Sequence, residues 1–394
     1  MATPTPSPHG PTLSMRLKSA MIMGMTGVLS KCFLYGFNRV EVTGLSRFLD
    51  ILDSRRDPAK RQRGLLTVSN HVSVHVTHTA ISSLDDPVVW GILPLRYTFD
   101  PSNLRWTLGA ADICFANKFL TNFFTHGQVL PCHRLKHSPF GGPFQPSLGQ
   151  AIRLLSTPLP LPPHHQTYTT TGLDTHPSPL RYPTLRRHSW VHVFPEGCVH
   201  QHAATDMRYF KWGLARLILE ADPVPDVLPM FVDGTQRVMP EDRGFPRFLP
   251  RVGKTVRVAF GEVLDYEGTF GDLKRRWEGL VRRERERVGG GGVRDGKGGD
   301  DGAVVVGRGD DDDAAALAPG VLPTEELMYG KEAQEIRIEV ALRMRAEILK
   351  VRKALGGYPE PDPAFGLAET WRLDDDIEAK KYRSRVDGSD INQD

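Results

Sequence analysis

Read for its apolar positions alone, the chain alternates short hydrophobic runs with longer amphipathic stretches, which is the pattern of strands interleaved with helices. Strand-like runs are expected at Arg39 to Val42, from Leu65 towards Asn70-His71, at Val129-Leu130, Val191 to Phe194, Val227 to Val232 and Thr255 to Phe260. Helical spacing is expected from Arg105 to a stop at His126-Gly127, as a turn over Leu148 to Leu155, and from Phe210 to Ala221. The pattern predicts an α/β domain over residues 38–265 with its functional residues at the carboxyl ends of the strands.

Outside that domain the character changes. Residues 1–14, rich in Pro, Thr and Ser, read as a disordered leader, and 357–394 as a disordered tail. Residues 15–37 are strongly apolar, but Lys18 and Lys31 bracket only 12 uncharged residues, whereas a spanning helix needs ~20. A membrane-interface helix is the preferred reading, with a buried core helix as the alternative. The lack of any acidic residue before Glu41 also suits a mitochondrial targeting segment. Residues 138–188, with many prolines, read as a loop insertion, and the His164-His165 pair within it as solvated side chains. A charged helix at 266–288 and a Gly/Asp-rich linker at 289–320 follow. A C-terminal helix at 321–356 carries Ile338, Leu342, Ile348, Leu349 and Leu355 along one side, to pack on the domain or lie against an anionic membrane.

Composition narrows the partners. Fifty Lys and Arg against 47 Asp and Glu give a formal charge of +3 over 394 residues, too little to imply nucleic acid, and no nucleic-acid motif is present. Cys32, Cys114, Cys132 and Cys198 show no CxxC spacing, so neither a zinc site nor a disulfide framework is indicated. No cofactor is expected, and no metal.

The chemistry lies in a few segments. His71 falls at a strand end with Asp85-Asp86 beyond it, and a carboxylate that fixes an imidazole's tautomer makes a general base. Glu196 occupies a sharp turn, Phe194-Pro195-Glu196-Gly197, at another strand end. Arg134, just past a third, suits either bidentate phosphate recognition or a surface salt bridge, and the residue alone does not choose between them.

The order NH…DDP, GQVLPCHR, VFPEG and VLPMFVDG resembles the four blocks of the glycerophospholipid acyltransferase family. SNHVS, SLDDPVVWGILP, RWTLGAADICF, WVHVFPEG, FKWGLARLILEA and FPRFLPRVGKTVRV are similar to its tafazzin branch, mitochondrial phospholipid–lysophospholipid transacylases that remodel cardiolipin. The resemblance implies that family's mixed sheet flanked by helices, with an N-terminal membrane-interface helix and a C-terminal helical extension. It implies His71 and Asp85 as the catalytic pair. Arg134 would contact phosphate, and Phe194, Pro195, Glu196 and Gly197 would help hold the lipid headgroup. The implied partners are phospholipids and lysophospholipids, cardiolipin and monolysocardiolipin among them, and a membrane surface. The implied location is the interface of mitochondrial membranes facing the intermembrane space.

One departure stands out. The family places its Asp after four intervening residues, whereas Asp85 lies fourteen positions beyond His71, and removing Val74 to Ser82 restores the spacing as NHVSSLDDP. The insert is expected to loop out and leave His71 beside Asp85. It carries His75 and His78, a possible metal trio with His71, although its alternation reads equally as an extended strand. Three functions stay in view: the CoA-independent transacylase, a CoA-dependent lysophospholipid or glycerol-phosphate acyltransferase, and an inactive membrane-bound homologue.

Overall fold

The computed structural model describes residues 13–72, 85–135, 137–157, 167–179, 188–197, 200–240, 249–289 and 318–368. The insert at Val74 to Ser82 with its two histidines, the His164-His165 pair and Cys198 lie outside the described residues, as do most of the leader, the linker and the tail. In chain order the elements are α1 (Leu13–Phe37), β1 (Arg39–Thr43), α2 (Leu45–Ser54), β2 (Leu65–Ser69), α3 (Asp85–Trp90), α4 (Leu95–Thr98), β3 (Trp106–Ala110), α5 (Ala111–Cys114), α6 (Lys118–His126) and β4 (Val129–Cys132). Then come α7 (Pro146–Leu155), a small ribbon of β5 (Thr167–Tyr168) and β6 (His176–Pro177), β7 (Trp190–Val193), α8 (Gly213–Leu219), β8 (Asp226–Asp233), α9 (Thr235–Val238), β9 (Thr255–Phe260), α10 (Tyr266–Gly289), α11 (Glu325–Tyr329) and α12 (Lys331–Leu355).

Seven strands form one mixed sheet in the order β1-β9-β8-β2-β7-β3-β4. The run from β8 to β4 is parallel, while β9 pairs antiparallel with β8 and parallel with β1. Side chains alternate between the two faces as a pleat requires. Leu65, Trp190, Leu228, Met230 and Val256 face one core, shared with Met23 and Leu34 of α1 and Phe48 of α2. Leu66, Val68, Val191, Val227 and Phe231 face the other, covered by α7, α8, α10 and α12. β2, with neighbours on both sides and every residue buried, is the middle of the molecule.

Two expectations from the sequence change. The apolar segment after Arg105 begins as strand β3 rather than helix, because five residues from Trp106 complete the parallel ladder between β7 and β4. Within the Pro-rich stretch 138–188, α7 stands where the helical turn over Leu148 to Leu155 is expected. Ser147, Leu148, Ala151, Ile152, Leu154 and Leu155 of α7 are all buried in the core, with a proline at the helix start where its missing N–H costs nothing. On α12 the buried side is Ala333, Ile336, Val340, Ala341, Met344 and Ile348, while Ile338 and Leu342 remain exposed. Arg337, Arg345 and Arg352 are buried on that helix because each guanidinium caps backbone carbonyls: Leu327 and Met328, Met207, and Ala204 and Pro359 respectively.

Helix α1 lies diagonally across the molecule. Gln128, at the start of β4, reaches Met23, and the carbonyl of Phe37 receives the N–H of Gly253, just before β9. β4 is one edge strand of the sheet, and β9 lies one strand in from the other edge. One side of α1 packs closely, Gly24 against the ring of Phe99 and Gly27 against Thr98, contacts that any Cβ would obstruct. A separate face exposes Leu17, Met21, Met25 and Leu29, an apolar row at intervals of four residues.

Candidate active site

β2 ends in an unusual way that explains the Asn-His pair. Asn70 is fully buried, and its side-chain amide donates to Val232 O and accepts from Val232 N–H, both at 2.8 Å. The side chain thus takes over the ladder on β8, and the main chain is free to turn out with His71. That residue is fixed at both backbone ends. Its N–H donates to Glu196 Oε1 at 2.9 Å, and its carbonyl accepts the N–H of His200 at 3.0 Å. Its ring stacks on Phe194, centroids 4.4 Å apart.

Glu196 is 1% exposed, and its other oxygen accepts the Arg208 N–H at 2.9 Å. Burial pushes its carboxyl up to about 7, against the lowering effect of these two backbone donors. Both oxygens are therefore committed to the main chain. Glu196 thereby braces the His71 main chain against that of Arg208. Gly197, at φ +68°, closes the turn, and a Cβ there would meet the Lys211 side chain at 2.9 Å. Lys211 in turn donates its N–H to Pro195 O.

Beneath the Phe194 ring sits His192, 1% exposed and edge-on to both Phe194 and Trp90. The indole of Trp190 donates to Thr67 Oγ1 at 2.8 Å, and Thr67 Oγ1 lies 2.8 Å from His192 Nδ1. His192 Nε2 is 3.4 Å from Ser69 Oγ, which donates to Asn70 O. The donors run in one direction if His192 is neutral with its proton on Nε2.

The two aspartates differ. Asp86 accepts from the Arg105 guanidinium through both oxygens, 2.8 Å at Nε, and from Trp90 Nε1 at 2.9 Å. It is spoken for structurally. Asp85 opens α3, and its side chain lies outside the described residues, as does the expected loop-out of Val74 to Ser82. Arg134, past β4, makes a two-pronged ion pair with Asp112, past β3, 3.1 Å at Nε. Burial of Asp112 works against its ionisation, but the hydrogen bonds and charge of Arg134 hold its carboxyl below the usual range.

His71, Phe194, Pro195, Glu196, Gly197 and Arg134 thus gather at the carboxyl ends of β2, β7 and β4. The acyltransferase family matches residues 40–232. Tafazzin of Saccharomyces cerevisiae is 35% identical over 369 residues, 90% of this chain and 83% of the yeast protein. The chain belongs to the tafazzin family of acyltransferases. The Dictyostelium discoideum tafazzin is 31% identical, across 61% of this chain and 67% of its own length. An N-acylphosphatidylethanolamine synthase of Arabidopsis thaliana is 31% identical across 52% of this chain and 56% of its own.

For a tafazzin-family acyltransferase the groups available near His71 matter. Burial pushes the Cys114 thiol up to about 12 and the Cys132 thiol up to about 11, so neither supplies a thiolate nucleophile at neutral pH. Among the described residues no three His, Cys, Asp or Glu side chains are placed to hold a metal ion. Sequence reasoning passed over Asn70, His192, Arg208 and Lys211. For Asn70 the signal was its place beside His71; for His192, the alternation in Trp190-Val191-His192-Val193, which puts it on the same face as Trp190.

Proposed function

We propose that the protein moves an acyl chain directly from a phospholipid to the free hydroxyl of a lysophospholipid without a CoA thioester, remodelling cardiolipin from monolysocardiolipin in mitochondrial membranes. The observation that carries this is His71, held at both backbone ends with its ring half-buried against Phe194.

His71 takes the proton of the lysophospholipid hydroxyl as the oxygen attacks the donor's ester carbonyl. Collapse of the tetrahedral intermediate breaks the bond to the donor's glycerol oxygen, which leaves with the proton from the imidazolium. Asp85 is the candidate to orient the ring, since Asp86 is already engaged by Arg105. Arg134 and Lys211 supply positive charge for the phosphates, Arg134 by exchanging its bond to Asp112. The N–H groups around Gly197 meet the developing oxyanion. Membrane binding is assigned to α1, lying in the interface that faces the intermembrane space. The exposed Leu17, Met21, Met25 and Leu29, on the side away from the buried Met23, Ser30 and Leu34, support that orientation.

The test is transfer of a labelled acyl chain from phosphatidylcholine to monolysocardiolipin with all thioesters removed. Transfer only when acyl-CoA is added would assign the protein to the CoA-dependent class.

A further inference from the structure

Beside Arg134, a tight turn joins β5 to β6 and leaves Leu173 96% exposed. The turn is firmly built. The Asp174 carboxylate accepts the N–H groups of Thr170 and Thr171 at 2.7 and 3.0 Å and the hydroxyls of Thr169 and Thr170. His176 Nε2 lies 3.0 Å from the same group. Gly172, at φ +81°, donates its N–H to Thr169 Oγ1. The tip therefore does not fold back to hide its leucine.

The ribbon is docked onto the site. Thr170 Oγ1 is 2.7 Å from His133 Nε2, the residue before Arg134, and Phe140 packs edge-on to the His133 ring. On the other flank His176 packs edge-on to Phe115, ahead of α6. Phe140 is 44% and Phe119, at the start of α6, 77% exposed. The ribbon, the Phe140 segment and α6 thus each hold an exposed apolar side chain. Helix α6 also packs against α1.

We propose that the Leu173 turn, with Phe140 and Phe119, is a second membrane contact that seats the Arg134 side of the site in the headgroup boundary of a phospholipid bilayer. The inference rests on reading the protein as a phospholipid acyltransferase, whose substrates reside in that bilayer. The apolar tips enter the acyl-chain boundary, and Arg134 and the exposed Lys118 sit level with the phosphates.

The experiment titrates the full chain with vesicles of phosphatidylcholine containing phosphatidylglycerol and measures the bound fraction by sedimentation. Leu173→Asp should weaken partitioning about tenfold, in line with losing one buried leucine from the interface, and Leu173→Trp should match or exceed the wild type. Ile338→Asp, on the exposed side of α12, should change nothing. Equal partitioning of Leu173→Asp and wild type, or an equal loss with Ile338→Asp, overturns the proposal. Binding is read without turnover, so a chain that shows the Leu173 effect yet transfers no acyl group fails the functional reading and not this one.

Discussion

The N–H of His71 and the N–H of Arg208 converge on the two oxygens of Glu196, each at 2.9 Å. One buried carboxylate thereby ties the end of β2 to the loop that follows β7. That loop is held from behind by the C-terminal helix, through Arg345 to Met207 O and Arg352 to Ala204 O. His71 is thus positioned by segments far apart in the sequence.

Glu196 makes the stability pH-dependent in a defined direction. Its folded value, about 7, is raised above the ordinary 4.5. The stability it contributes is fully present below 4.5 and is lost as the pH rises through 7, when the buried carboxyl ionises. Urea denaturation of wild type and Glu196→Gln should differ in pH dependence by up to ~3 kcal/mol between acid and pH 8, with the wild type losing ground. Glutamine also cannot accept both N–H groups, and turnover should fall about tenfold or more through misplacement of His71.

Asn70→Ala strips the partners from both the N–H and the carbonyl of Val232 in a fully buried setting. The expected loss is ~2–4 kcal/mol, measurable by urea denaturation. Asn70→Asp should fare little better, since a carboxylate cannot donate to Val232 O.

Arg345→Met keeps the apolar packing of α12 but removes the cap on Met207 O. A cost of ~1–3 kcal/mol is expected, accompanied by lower turnover with little change in lipid KM, because the displaced loop carries Arg208 rather than a substrate contact. Unchanged turnover in this variant would separate the C-terminal helix from the site.

Much of this architecture is visible in the sequence. Parallel strands buried on both faces read as continuous apolar runs, so β2, β7 and β8 stand out, and the turn residues after them mark the site. β3 was hidden because a five-residue strand followed at once by short helices has no periodicity of its own. The buried side of α12 was misread because three arginines lie on it, and only the structure reveals the carbonyls that make their burial tolerable. The committed oxygens of Glu196 were equally out of reach, since their donors lie 125 and 12 residues away.

The insert has its own test. Loop closure costs only about 0.6 kcal/mol per doubling of length, so a looped-out Val74 to Ser82 is tolerable, and deleting it should preserve or raise activity. His75→Ala and His78→Ala should leave the rate unchanged. A rate that collapses with His78→Ala would move the catalytic role away from His71.

The central claim is that His71 acts as the base in a thioester-free transfer. The decisive measurement is the initial rate of labelled acyl transfer from phosphatidylcholine to monolysocardiolipin, without CoA, for wild type and His71→Ala in the same vesicles. The account predicts a measurable wild-type rate and a loss of at least about a hundredfold in the variant. A His71→Ala protein that transfers acyl chains at close to the wild-type rate would contradict it.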